Sequence, residues 1–190
     1  MTTSPRRERE RTERHRLIVA TARELAEAEG WDAVTTRRLA ERVEYSQPVL
    51  YSHFANKEAI LGAVALESFR EFAGLLAAAR ESAPAGTELA AVLAAYLAYA
   101  TDHPALYEAM FALPSGLTFG GTEQTPAELT QAFEQIVLAV RPVSAGRDVA
   151  AVAELVWSAL HGIADLTRTG RLPAQDQPAR LILLQQLISC

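Results

Sequence analysis

The chain is 190 residues long, 49% hydrophobic, 22% charged and 7% aromatic, the balance of a folded globular protein and not of a disordered or fibrous one. Its net charge of −5 is unevenly shared: residues 1–57 hold 11 Lys and Arg against 9 Asp and Glu, and residues 58–190 hold 7 against 14. A slightly basic N-terminal part thus precedes an acidic bulk, which fits a small domain joined to a larger one and argues against a nonspecific polyanion binder. The one cysteine, Cys190, is the last residue, so no intrachain disulfide or thiolate metal cluster can form, and no cofactor is expected. The opening MTTSPRRERERTERHR lacks the apolar core of a secretory signal, and no run of about 18 uninterrupted apolar residues follows. The expectation is an unprocessed, cytoplasmic protein with no membrane partner.

Leu17, Ile18, Thr21, Leu25 and Ala28 recur at helical spacing and predict a first helix over about 9–29, stopped by Gly30. Thr35 is an N-cap type before Leu39, Ala40 and Val43, giving a second helix of about two turns that fades at Glu44 and Tyr45. Ser46 caps a third, running to about Phe54, with Pro48 in its first turn, where the missing N–H would lack a partner anyway. Asn56 caps a fourth, from Lys57 to about Ser82, where PAG breaks it. Further helices are predicted over about 89–103, 104–113, 127–140, 147–169 and 177–189, with the Gly-, Pro- and Thr-rich segment 114–126 as a loop. No segment alternates with period two, so the fold class is all-α with about nine helices. The predicted domains are a helix-turn-helix domain, 1–56, with a basic arm, 1–16, and a helical ligand-binding and dimerisation domain, 57–190.

The second and third helices are short, closely joined and preceded by a longer helix that can brace them, the layout of a helix-turn-helix. The third carries Gln47, Pro48, Val49, Tyr51 and His53. Gln pairs bidentately with adenine, Pro and Val suit a thymine methyl, and Tyr and His donate to phosphate. Thr35, Thr36, Arg37 and Arg38 open the second helix, where orphan N–H groups and the helix dipole favour a phosphate; Lys57 does likewise at the fourth. The competing reading makes Arg37, Arg38 and Lys57 a solvated face.

The segments LIVATARELAEAEGW and TTRRLAERVEYSQPVLYSHFANKEAIL resemble the DNA-binding domain of the TetR family of bacterial transcriptional regulators. Ala22, Gly30-Trp31, Thr35, Leu39-Ala40, Ser46, Leu50-Tyr51, His53-Phe54 and Lys57 occur in the family's order. The resemblance implies base contact from Gln47, Pro48 and Val49, phosphate contact from Thr36, Arg37, Tyr51, His53 and Lys57, and core positions for Leu39, Leu50 and Phe54. Two residues depart from the pattern. Glu44 stands where the family usually has Gly, so the turn is either rebuilt or strained, and Thr36 stands where an apolar residue is common. In the arm, Arg6, Arg7 and Arg9 can reach a minor groove or the backbone, while the interleaved Glu8, Glu10 and Glu13 favour a helix start with internal ion pairs.

In the larger half, HPALYEAMF (103–111) and VWSALHG (156–162) resemble a C-terminal domain class marked by Trp, His and Gly, here Trp157, His161 and Gly162. Trp157 and His161 share a helical face, and Gly162 lets another backbone approach. His161 suits either a ligand contact or a satisfied interior position. No metal-ligand spacing surrounds it, and Ser158 has no nucleophile elbow, so neither a metal nor catalysis is expected. Phe69, Phe72, Tyr96, Tyr99, Tyr107, Met110, Phe111, Phe133 and Val137 gather aromatic and apolar bulk onto four helices. Core packing accounts for such a set; the resemblance implies instead a mostly apolar cavity for a small-molecule effector, to which Trp157 and His161 also belong.

The last two helices carry more apolar surface than one side needs: Val152, Leu155, Val156, Trp157, Leu160, Ile163 and Leu166, then Leu181, Ile182, Leu184, Leu187 and Ile188. Pairing with a second copy makes a four-helix bundle, and Leu160, Ile163, Leu166, Leu181, Leu184, Leu187 and Ile188 are its predicted interface. The expected protein is a homodimeric repressor that holds two reading helices roughly 34–36 Å apart on a palindromic operator. A ligand releases it by tilting the fourth helix. The alternative is an architectural or partner-binding DNA-associated protein without a small-molecule effector.

Overall fold

A computed structural model describes residues 5–120 and 122–189; residues 1–4 of the arm, Gly121 of the 114–126 loop and Cys190 lie outside them. The described residues form nine α-helices and three single-turn 3₁₀ helices, with no strand. The helices are α1 (Pro5–Glu29), α2 (Thr36–Arg42), α3 (Gln47–His53), α4 (Lys57–Ser82), α5 (Glu88–Asp102), α6 (Pro104–Phe111), α7 (Ala127–Val140), α8 (Val149–Arg168) and α9 (Gln177–Ser189).

The helix ends follow local chemistry. Thr35 Oγ1 accepts from the Arg38 N–H at 3.2 Å, Asn56 Oδ1 from Ala59 at 2.8 Å, and Asp148 Oδ1 from Ala150 at 2.9 Å. Gly30, at φ 81°, ends α1. Ser46 departs from expectation: its side chain makes no capping bond, because Pro48 offers no N–H and the Val49 N–H turns to the Ser46 carbonyl at 3.0 Å. The first helix also starts earlier than its apolar stripe predicts. Arg6 and Glu10, paired at 2.8 Å one turn apart, support the added turn. Ile18, Val19, Ala22, Leu25 and Ala26 form the buried stripe of α1, whereas Leu17 and Ala28 are exposed.

The chain forms two compact units. The first comprises the described part of Met1–Ser68 together with Ala105–Leu117, a different division from the expected boundary at 56/57. The physical reason is apolar: Ile60, Leu61, Val64 and Ala65 of α4 and Ala105, Leu106 and Ala109 of α6 join Ile18, Leu25, Trp31, Leu39, Leu50 and Phe54 in one core. Two hydrogen bonds fix α6 there. The Trp31 indole donates to the Ala105 carbonyl at 2.7 Å, and the Leu106 N–H donates to Glu27 Oε1 at 3.3 Å.

The second unit, Phe69–Pro104 with the described part of Thr118–Cys190, packs α8 against α5 and α7, and α9 against α5. Phe72, Leu76, Leu93, Tyr96, Leu97, Ile136, Val140, Val156 and Leu160 are buried in it. Arg147 donates to the carbonyls of Val143, Ser144 and Ile188, which ties the end of α9 to the α7–α8 connection. By length and composition α8 is apolar enough to cross a bilayer; here it is a packing helix, with Glu154 and Asp165 on it.

Candidate nucleic-acid interface

The turn between α2 and α3 is set by Glu44, whose φ of 57° lies in the left-handed region. The strain is therefore tolerated and the turn is not rebuilt: the Tyr45 N–H reaches back to the Ala40 carbonyl at 3.0 Å. Leu39 and Leu50 are both buried and seat α3 against α2. The opposite face of α3 presents Gln47, Pro48, Tyr51 and Ser52 as exposed side chains, with Val49 and His53 half-buried. Tyr51, 51% exposed, holds its hydroxyl 3.5 Å from Thr36 Oγ1. The two helices thus place a phenol and a threonine hydroxyl side by side, close enough to share one phosphate oxygen.

The cations divide by role. Arg38 makes a bidentate pair with Glu29, at 2.9 and 2.8 Å, and this hydrogen bonding holds the Glu29 carboxyl below the ordinary carboxylate range. Arg38 is thereby a brace from α2 to the end of α1. Arg37 pairs with Glu41 along its own helix at 2.9 Å and stays exposed. Lys57 Nζ donates to the Trp31 carbonyl at 2.7 Å; an ammonium carries three donors, so this bond orients it without exhausting it. Thr35 is engaged as the α2 cap.

His53 closes the far end of α3. Burial first, then the charges of Arg11, Arg14 and His15, push its imidazole below the ordinary histidine range. His15 stacks on Phe54 at 4.5 Å and stands 6.4 Å from the His53 ring. Arg11 and His15 are absent from the sequence-based set. Arg11, Thr12 and His15 share one face of the predicted helix, and Glu8 joins that face because the helix extends to Pro5.

The expected effector residues fall in both units. Phe69, Phe72, Tyr96 and Tyr99 are buried in the second, with Phe72 ring centroids 5.1 Å from Tyr96 and 4.9 Å from Tyr99. Phe133 and Trp157 are half-buried there and meet edge to face at 6.0 Å. His161 is also half-buried, and burial lowers its imidazole against the opposing pull of Asp165. Tyr107, Met110 and Phe111 belong to the first unit, where Tyr107 lies 4.8 Å from Phe111. A Cβ added at Gly162 would meet nothing within 4 Å, so the expected close backbone approach is not seen. Phe119, in the loop, was not foreseen; its ring stands 6.1 Å from Phe69. Among the described residues, no group of three or more His, Cys, Asp or Glu could hold a metal ion.

Of the expected interface residues, Leu160 and Ile188 are buried within the chain's own second unit and are spoken for by its core. Ile163, Leu181 and Leu184 are half-buried, and Leu166 and Leu187 are exposed. Leu187 at 75% and Leu155 at 72% lead an exposed apolar set that includes Ile182 and Leu183.

Residues 18–64 match a family model described as bacterial regulatory proteins, tetR family, and residues 89–188 match one described as tetracyclin repressor-like, C-terminal domain. That second description names no Trp-His-Gly class. The tetracycline repressor protein class G of Vibrio anguillarum is 46% identical over 54 residues, 28% of this chain and 26% of that repressor's length. An uncharacterized HTH-type transcriptional regulator of Mycobacterium tuberculosis is 28% identical over 163 residues, covering 85% of this chain and 73% of its own. The crystal structure of BioQ with its double-stranded DNA operator superposes with a TM-score of 0.61 at 26% identity, over 91% of this chain and 95% of that one. With both models matched in order and the reading helix built as described, the chain belongs to the tetR family of bacterial regulatory proteins.

Proposed function

We propose that the protein is a cytoplasmic repressor that binds a palindromic DNA operator as a homodimer and is released by a small-molecule effector. The observation that carries the reading is the exposed face of α3, where Gln47 and Pro48 precede a Tyr51 hydroxyl set beside Thr36. In this reading Gln47, Pro48 and Val49 meet base edges, while Thr36, Arg37, Tyr51, His53 and Lys57 meet phosphates. Thr35 serves by capping α2, which aims Thr36 and Arg37. The likeness to BioQ, whose structure holds its double-stranded DNA operator, supports the DNA part.

The exposed leucines of α8 and α9 support the dimer, because apolar side chains left outside the chain's own core gain by burial against a second copy. Phe69, Phe72, Tyr96, Tyr99, Phe133, Trp157 and His161 of the second unit are the residues proposed to meet a mostly apolar effector. Release follows when ligand changes the separation of the two reading helices, with α4 as the lever. The role is binding and not catalysis.

Operator affinity measured by fluorescence anisotropy on matched and scrambled duplexes tests the reading. Tyr51→Ala weakens binding to all sequences alike, roughly tenfold, whereas Gln47→Ala relaxes base preference at one position per half-site by about 1–3 kcal/mol. The reverse pattern overturns the assignment.

A further inference from the structure

Beside the last turn of α3 lies a groove of about 330 Å³ lined by Glu8, Arg11, Thr12, His15 and His53. Four of these come from one face of α1, at spacings of three and four residues, and His53 faces them from α3. The walls are fixed by packing: His15 stacks on Phe54, itself buried in the core of the first unit. Thr12 is turned to the Glu8 carbonyl at 3.0 Å, which leaves the Arg11 guanidinium and the two imidazoles as the donors and the Glu8 carboxylate as the one opposing charge. Arg11, Arg14 and His15 together set a positive field at His53. A guanidinium fork flanked by imidazole N–H groups is matched to a phosphate oxyanion.

Position identifies which phosphate. His53 is six positions on from Gln47, about 9 Å along the axis, and the major groove is about 12 Å wide. A helix with its Gln47 end on base edges therefore brings its His53 end to the groove wall, which is sugar-phosphate backbone. We infer that this groove takes one phosphodiester oxyanion of the DNA backbone flanking the bases read by α3, held by Arg11, His15 and His53 and weakened by Glu8. The inference rests on the operator reading above and extends it to the start of α1.

The test uses the full chain and the duplex it enriches from a random pool, with affinities measured over a salt series for the native protein, Arg11→Gln and Glu8→Gln. Both substitutions are at exposed positions, and equal melting temperatures verify the fold. One lost phosphate contact makes the slope of log Kd against log salt shallower by about 0.9, and Arg11→Gln is expected to show this with roughly fivefold weaker binding and unchanged base preference. Glu8→Gln is expected to bind tighter. Native slope and affinity in both variants overturn the groove while leaving the operator reading intact. Enrichment of no duplex by the native protein overturns the operator reading itself; NMR shifts of the His15 and His53 imidazoles on adding inorganic phosphate would in that case assign the groove to a free oxyanion and contradict the DNA source.

Discussion

Glu44 shows how a single backbone angle links fold and function. Its left-handed φ of 57° costs an L-residue about 1–2 kcal/mol, and its carboxylate sits in the turn that aims α3. Replacing it with Gly removes the steric strain and the charge together, against a smaller loss from the freer unfolded chain. Glu44→Gly is expected to raise the melting temperature by roughly 2 °C and to tighten binding to random duplex. Calorimetry and anisotropy check the two parts, and an unchanged or lower melting temperature contradicts the strain. This residue was legible in the sequence because a departure from Gly in a short turn has only two outcomes. Ser46 was less so: its type signals a cap, but the proline two residues on removes a donor the cap would serve.

At the scale of elements, α6 is the part the sequence could not place. Periodicity shows which face of a helix is apolar, not which neighbour covers it, and Leu106 is 79 residues from the Glu27 that accepts its N–H. The structure sets α6 in the same core as α1 to α3, so the first unit is built from two separated stretches of chain. Trp31 is the residue that makes this testable. Trp31→Phe removes the indole donor and leaves the Ala105 carbonyl with its helical partner alone, a net cost of about 1 kcal/mol, and the melting temperature is expected to fall by roughly 3 °C. A melting curve identical to the native one would contradict the role of this bond. The apolar surplus of α8 and α9 was half legible for a similar reason: an apolar count finds it, but Leu160 and Ile188 serve the chain's own core while Leu155 and Leu187 face outward.

For the whole molecule, the fold class and helix order were readable because each helix carries its own start and stop chemistry, at Thr35, Asn56 and Gly30 for instance. The helix that carries the proposed DNA-contact residues was legible because Gln47 to His53 is a contiguous run on one short helix. The Arg11 and His15 groove was hidden, since it joins residues 38 or more apart in sequence across two helices. In the proposed function, two copies of this head read one symmetric site. Selection of duplex from a random pool by the purified protein, with the mass of the complex recorded on the selected DNA, measures it directly. The expected result is an enriched palindrome with half-sites about one helical turn apart, bound by two protomers. Enrichment of an asymmetric site by one protomer, or of no site at all, would contradict it.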